Sequence, residues 1–416
     1  MHFISFLTNI IGVMFFVCYF YQMIYILIPF IKKDKSRGAG KRNRMAVLIS
    51  ARNESNVIKN LLDSIDAQTY PKELIDVFVV ADNCTDNTAD IAEACGAHVY
   101  RRFDNVKVGK GHALNYLLNE IYKTYGKNYF DGYMVFDADN VLDSHYIDEM
   151  NRTFSSGYDI LTSYRNSKNF GDNWISAGYG LWFLRESKYL NYPRMLLNTS
   201  CAISGTGFMF SKRIANELDG WWYHLLTEDI EFTADHVARG FKIGFCKRAM
   251  LFDEQPTSFN QSIRQRMRWA KGYYQVMCHY GSSLIKGITK PSFSCFDMTM
   301  NIMPAMILLL SMAVINIAAF ITGLAFGVSV MPIVLGLITS LRGMLGMLFV
   351  VGAITTITEW KNIYCSPWKK ILYTFTFPIF MITYLPITMV ALFKKVEWKP
   401  IVHNESKTLA DIKGVN

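Results

Sequence analysis

The chain has 416 residues, 51% of them hydrophobic and 14% aromatic, and its 43 basic and 34 acidic side chains leave a formal charge of +9. With a mean hydropathy of +0.14, that composition argues against a purely soluble protein. The eight cysteines form no CxxC pair, which argues against a zinc site or a disulfide framework and fits a reducing compartment.

Residues 3–31 form a nearly uncharged run longer than the roughly 20 residues needed to cross a hydrocarbon core. No small-residue cleavage site follows, so the segment is expected to be an anchor (1–32) and not a signal peptide. A basic linker (33–44) comes next, with Lys32, Lys33, Lys35, Arg37, Lys41, Arg42 and Arg44 crowded together. Charge placed directly after a span predicts a cytoplasmic following domain, and it also suits a solvated linker against anionic lipid.

The block 45–275 has ordinary charge density and alternating strand and helix patterns. Met45 to Ser50 reads as a strand, and Val57, Ile58, Leu61, Leu62 and Ile65 repeat at helical spacing. Strands at 75–81, 97–100 and 133–136 then alternate with helices at 88–95 and 112–122. This is an α/β pattern that predicts a mostly parallel sheet with ligands at the carboxyl ends of its strands. Neither GxGxxG nor GxxxxGK[ST] is present, so the two commonest nucleotide-binding loops lose support.

Chemistry-bearing residues follow the strands. Asp82 ends the second strand, where a carboxylate can accept from a nucleobase or ribose, while Asp86 reads as the cap of the next helix. Asp137-Ala138-Asp139 places two carboxylates at a strand end, able to ligate a hard divalent cation; such triplets also simply terminate strands. Thr227-Glu228-Asp229 opens a helical pattern, either as a Thr cap with acidic first-turn residues or as a carboxylate aimed into a cleft. Gln265, Arg268 and Trp269 share one helical face, suited to a diphosphate and a sugar ring or, alternatively, to the membrane interface.

An interfacial segment (276–299) precedes a transmembrane region (300–394) of about three spans, near 300–325, 330–356 and 371–393, and a tail (395–416). Arg342 in the second of these is expected to face protein, water or a lipid phosphate, or to line a translocation path. Four spans in all would put both termini on one side and Lys394 and Lys395 outside, against the charge rule. The segment 371–393, broken by Pro378 and Pro386, is therefore the one suspected of lying flat or re-entering.

Taken in order, the ARNE-like start, Asp82, Asp139, the Thr227 triplet and Gln265 to Trp269 resemble the family 2 glycosyltransferases. Within that family they look like the processive membrane synthases of cellulose, hyaluronan and poly-N-acetylglucosamine. The resemblance implies a GT-A type nucleotide-sugar-binding domain flanked by transmembrane helices, cytoplasmic at the cell membrane, with Mg or Mn as cofactor. It implies that Asp229 is the catalytic base and that Glu54, Asp82, Lys110, Asp137, Gln265 and Arg268 bind the donor. Gly205, Thr206, Glu228 and Trp269 are implied to meet the acceptor, and Asp139 with Asp137 to hold the metal. Two departures stand out: Ala81-Asp82-Asn83 replaces the paired acids of many relatives, and the short tail leaves no room for a regulatory domain. The expected reaction is inverting, processive polymerisation of UDP-glucose or UDP-N-acetylglucosamine into a β-linked polysaccharide that is exported across the membrane. The alternative is addition of a single sugar to a lipid or polyprenyl acceptor. The expected partners are the UDP-sugar, the growing polysaccharide or lipid acceptor and membrane lipids, with no nucleic acid.

Overall fold

The computed structural model describes the chain except residues 1, 35–39, 303, 328, 399, 402, 404, 415 and 416; of the basic linker, Lys35 and Arg37 lie outside the described residues. The chain opens with α1 (His2–Ile31) and continues through β1 (Met45–Ala51), α2 (Ile58–Asp66), β2 (Ile75–Asp82), α3 (Thr88–Ala94), β3 (His98–Arg102), α4 (Lys110–Tyr125) and β4 (Gly132–Asp137). Then come β5 (Val141–Leu142), α5 (Tyr146–Phe154), β6 (Ile160–Ser167), α6 (Trp174–Glu186), α7 (Tyr192–Leu196), β7 (Phe208–Ser211), α8 (Lys212–Leu218), α9 (Glu228–Ala238) and β8 (Ile243–Asp253). The remainder is helical: α10 (Phe259–Thr289), α11 (Phe293–Ile302), α12 (Pro304–Ala325), α13 (Met331–Thr358), α14 (Pro367–Ile382), α15 (Tyr384–Phe393) and α16 (Leu409–Lys413).

Among the described residues the strands form one eight-stranded sheet in the order β3-β2-β1-β4-β7-β6-β8-β5. β1, β2, β3 and β4 run parallel, and β7 enters antiparallel between β4 and β6. Successive side chains of a strand point to opposite faces, so both faces of a central strand need cover. Leu48, Val80 and Val135 accordingly enter one apolar core, while Val47, Ile49, Val79 and Phe136 enter the other. That is why these strands read as continuous apolar runs. Register pairs Ala51 with Ala81 and Ser50 with Asp137, which brings the carboxyl ends of β1, β2 and β4 side by side.

Among the described residues four segments are long and apolar enough to cross a membrane: Asn9–Ile31, Ile307–Ala325, Met331–Thr358 and Pro367–Phe393. The last bends at Thr383 between α14 and α15. Pro386 has no N–H to offer the preceding turn, which fits the break. Both halves dock on the α/β domain. Lys369 Nζ donates to the Gly171 carbonyl (2.6 Å), Arg266 Nη1 donates to Thr383 Oγ1 (2.6 Å), and Tyr274 Oη donates to the Thr388 carbonyl (3.1 Å). The tail then returns to the domain, where Lys413 pairs with Asp143. α10 runs unbroken through residue 275.

Candidate active site

The site is assembled at the carboxyl edge of the sheet. Asp82 is buried there; Arg102, its register partner on β3, pairs with its Oδ1, and burial, only partly offset by Arg102, raises its pKa. Asp86 holds the start of α3 by accepting from the Thr88 N–H (3.1 Å), the structural role its position suggested. Lys110 opens α4 and reaches across the cleft, its Nζ donating to Asp137 Oδ1 (2.5 Å) and the Gly205 carbonyl (2.7 Å). Burial works against that charge, yet Asp137 and Glu228 hold Lys110 above the usual lysine value.

Asp139 is buried, its Oδ2 accepting from the Glu254 N–H (2.9 Å) and its Oδ1 from Asn140 Nδ2 (3.2 Å). Burial opposes its ionisation, but His403 and Lys168 hold its carboxyl below the usual range. Among the described residues no three His, Cys, Asp or Glu side chains form a ready-made metal cage. Asp137 is partly engaged by Lys110, so Asp139 and Asp137 offer oxygen donors that could hold a hard cation only with help from outside the protein.

The first turn of α9 carries Glu228 and Asp229 into the cleft. Asp229 Oδ2 accepts from the Gly205 N–H (2.6 Å), and burial raises its pKa; burial and then the charge of Asp229 push Glu228 up to about 7. Thr227 sits at the N-cap position without capping through its side chain. Its hydroxyl is buried without a partner and packs where a Cβ on Gly272 would lie 2.5 Å away. Gly205 and Gly207 both have positive φ, and a Cβ at Gly207 would fall 1.9 Å from Leu251 Cδ2, so only glycine fits this loop.

On α10, Arg268 Nη1 donates to the Leu226 carbonyl (2.7 Å), and Trp269 meets Tyr179 edge to face with ring centroids 5.7 Å apart. Gln265 Oε1 is buried without a hydrogen-bond partner. Arg266, between them, points the other way and anchors the bend at Thr383.

A single cavity of about 1500 Å³ is lined by Glu54, Asp82, Lys110, Asp137, Asp139, Gly205, Glu228, Asp229, Gln265, Arg268 and Trp269. Thr206 is the exception, and the expectation that it meets the acceptor is corrected. Its hydroxyl donates to Asn140 Oδ1 (2.5 Å) and accepts from the Asp137 N–H (2.9 Å), so it is a buried clamp on the Asp137-Ala138-Asp139 turn. Arg342 is exposed and absent from the cavity wall, which goes against the path among its expected places and leaves the lipid-phosphate and water alternatives.

Sequence reasoning missed several wall residues. Asp253 ends β8 and Glu254 follows it, so the strand-end rule that singled out Asp82 applied equally to them. Arg165 pairs with Asp253 and donates to the Ser204 carbonyl (2.7 Å), and Arg52 has a buried Nη1 without a partner. Arg165 belongs to no motif, and Arg52 stands in the ARNE-like start, where Glu54 alone is singled out. His403 comes from the tail, 349 residues beyond Glu54, and its Nδ1 lies 3.0 Å from both Glu54 carboxylate oxygens. Against burial, Asp139 and Glu54 hold the imidazole up at about 10.

Residues 42–272, more than half the chain, match the family model described as "Glycosyltransferase like family 2". The chain belongs to this glycosyltransferase family. This glycosyltransferase is 27% identical over 265 residues to "Probable glycosyltransferase YdaM" of Bacillus subtilis (58% of each chain). It is 25% identical to "Beta-monoglucosyldiacylglycerol synthase" of Synechocystis (57% of this chain, 49% of that protein). It is 24% identical to "Poly-beta-1,6-N-acetyl-D-glucosamine synthase" of Staphylococcus epidermidis (58% and 57%). The chain thus spans about half the length of the curated relatives it matches. A solved structure described as the mannosyltransferase PcManGT from Pyrobaculum calidifontis with GDP-Man and Mn2+ superposes with a TM-score of 0.58 at 18% identity, over 93% of this glycosyltransferase and 99% of that chain. That likeness establishes the GT-A-like fold.

Proposed function

We propose that this chain is an inverting hexosyltransferase that moves a hexose from a UDP-sugar to an acceptor hydroxyl at the cytoplasmic face of the cell membrane. One observation carries the reading: carboxylates, cations and an indole from β2, α4, β4, α9 and α10 line one cavity. Asp82 faces the nucleoside, with Arg52 near it, and Lys110, Arg268 and Gln265 hold the diphosphate. Asp137 and Asp139 would hold Mg or Mn, which supplies charge neutralisation on the diphosphate. Asp229 accepts the acceptor's proton, and Trp269 offers its ring face to a sugar. Glucose is the first donor candidate and N-acetylglucosamine the second.

The membrane arrangement supports the orientation. If α1, α12 and α13 cross and α14 with α15 lies along the interface, the tail returns to the catalytic side, as the His403–Glu54 contact requires. Lys394 and Lys395 then share a side with Lys32 and Lys33, in line with the charge rule. For domains we propose the anchor, the catalytic block 45–275 and the C-terminal membrane region. Of the acceptors, the growing β-linked polymer finds a parallel in the poly-N-acetylglucosamine synthase and a lipid in the monoglucosyldiacylglycerol synthase. The walls of the cavity favour the lipid, as argued below.

The test is UDP release by purified protein offered a panel of UDP-sugars. UDP-glucose or UDP-N-acetylglucosamine should be turned over, a chelator should abolish turnover and Mg or Mn should restore it; full activity in chelator would remove the metal assignment. A second prediction concerns pH. Asp229 works ionised, so activity should fall as pH drops through its raised pKa, above the roughly 4 of a free carboxyl. Glu228 is pushed up to about 7 by burial and by the charge of Asp229, so it is still protonated while Asp229 ionises, and Glu228→Gln should leave the acid limb of kcat/KM in place. A limb moved to lower pH would show that Glu228 is already charged while Asp229 titrates.

A further inference from the structure

The cavity that holds the catalytic carboxylates does not end with them. At about 1500 Å³ it exceeds the roughly 300–1000 Å³ of ordinary small-molecule sites, and it continues from the cleft between the apolar helices. There its walls are Phe16 of α1, Leu309 and Met312 of α12, Met344 and Leu348 of α13 and Met389 of α15. No Asp, Glu, Lys or Arg of α1, α12, α13 or α15 lines it; the one charged side chain of α13, Arg342, is exposed elsewhere. The polar side chains in that part of the cavity are few and uncharged, Asn9, Ser340 and Thr388 among them. Trp182, Arg185, Glu186 and Tyr273 also line the cavity, Glu186 and Tyr273 within electrostatic reach of Asp229. Arg185 is stacked on Trp182 with 5.0 Å to the ring centroid and donates to Gln22 Oε1 of α1 (3.0 Å).

We infer that the acceptor is a neutral membrane lipid with a free headgroup hydroxyl, its hydrocarbon chains lying in the apolar part of the cavity and its hydroxyl beside Asp229. This rests on the hexosyltransferase reading and names its acceptor. A sugar polymer threaded between these helices would lose hydration along its length and find few hydrogen-bonding partners, whereas acyl chains lose nothing there. The polar band at Arg185 and Glu186 lies where a headgroup would sit. A lipid phosphate is disfavoured because it is already ionised, needs no base and would face the carboxylates of Glu228 and Asp229. In the reaction the lipid hydroxyl oxygen forms a bond to the anomeric carbon. The bond from that carbon to the diphosphate oxygen breaks, its electron pair leaves with UDP, and the hydroxyl proton passes to Asp229.

The test uses the full chain in phosphatidylcholine vesicles with labelled UDP-glucose or UDP-N-acetylglucosamine, with and without diacylglycerol. The label should become extractable into organic solvent as a single glycolipid, only when diacylglycerol is present. Gly343 of α13 and Gly12 of α1 line the cavity, and nothing lies within 4 Å of where their Cβ would be. Gly343→Phe and Gly12→Phe should each reduce lipid transfer at least about tenfold, with UDP binding as the control for folding. A water-soluble ladder formed without diacylglycerol would overturn the inference and leave the hexosyltransferase reading standing. So would preferential transfer to polyprenyl phosphate, or unchanged lipid transfer in both variants. Absence of UDP release from every UDP-hexose would overturn both.

Discussion

Asp229→Asn is expected to bind UDP with nearly unchanged affinity and to transfer sugar at least about a hundredfold, and up to about 10⁴-fold, more slowly, the range that general-base help supplies. Asparagine has the shape of aspartate, and its carbonyl oxygen can still accept from the Gly205 N–H, so the loop and the first turn of α9 keep their places. What is lost is a group able to take a proton. Aspartate ordinarily has too low a pKa to be an effective base at neutral pH; burial raises this one toward the range where proton transfer is favourable. Glutamate at 228 does not substitute, because the Gly205 loop is held by Asp229 and not by Glu228. UDP affinity by calorimetry and initial rates by UDP release separate the two effects. Transfer within about threefold of wild type would remove Asp229 from the role of base.

Asp297→Asn is expected to cost about 3–5 kcal/mol of stability, the usual effect of leaving a buried charge without its partner. Arg194 and Asp297 are each 1% exposed, and the arginine grips both carboxylate oxygens, Nε at 2.8 Å and Nη2 at 2.7 Å. Tyr21 and Tyr25 of α1 donate to the same carboxylate at 2.8 and 2.7 Å. One carboxylate thus ties α1 to α7 and α11, and α1 is a wall of the cavity. Denaturant titration in detergent should show the loss, with transfer activity falling alongside it as the wall loosens. Replacing both charged partners by leucine should recover much of the stability, since no orphan charge remains. A single-variant loss below about 1 kcal/mol would contradict the account of this junction.

The strands and their site residues were legible because they are local. An apolar run ending in a carboxylate reveals both a buried parallel strand and what its end presents, which is how Asp82, Asp137 and Asp139 come to line the cavity. Trp269, Arg268 and Gln265 were legible from helical spacing. Thr206 was misjudged because its neighbours in sequence, Gly205 and Gly207, do face the cleft loop, while its hydroxyl is claimed by Asn140, 66 residues away. Arg165 and His403 gave no signal at all. Their roles exist only through partners on other elements, Asp253 and Glu54, that no period or motif connects to them. The suspicion about 371–393 rested on Pro378 and Pro386, and the bend lies at Thr383, next to the second of these.

The most direct measurement is an experimental structure of the purified chain with UDP and Mn. The account predicts the uracil beside Asp82, the metal on Asp139, and the diphosphate within reach of Lys110, Arg268 and Gln265, with Asp229 and Trp269 facing its open end. Nucleotide density outside this cavity, or a metal held without Asp139, would contradict it.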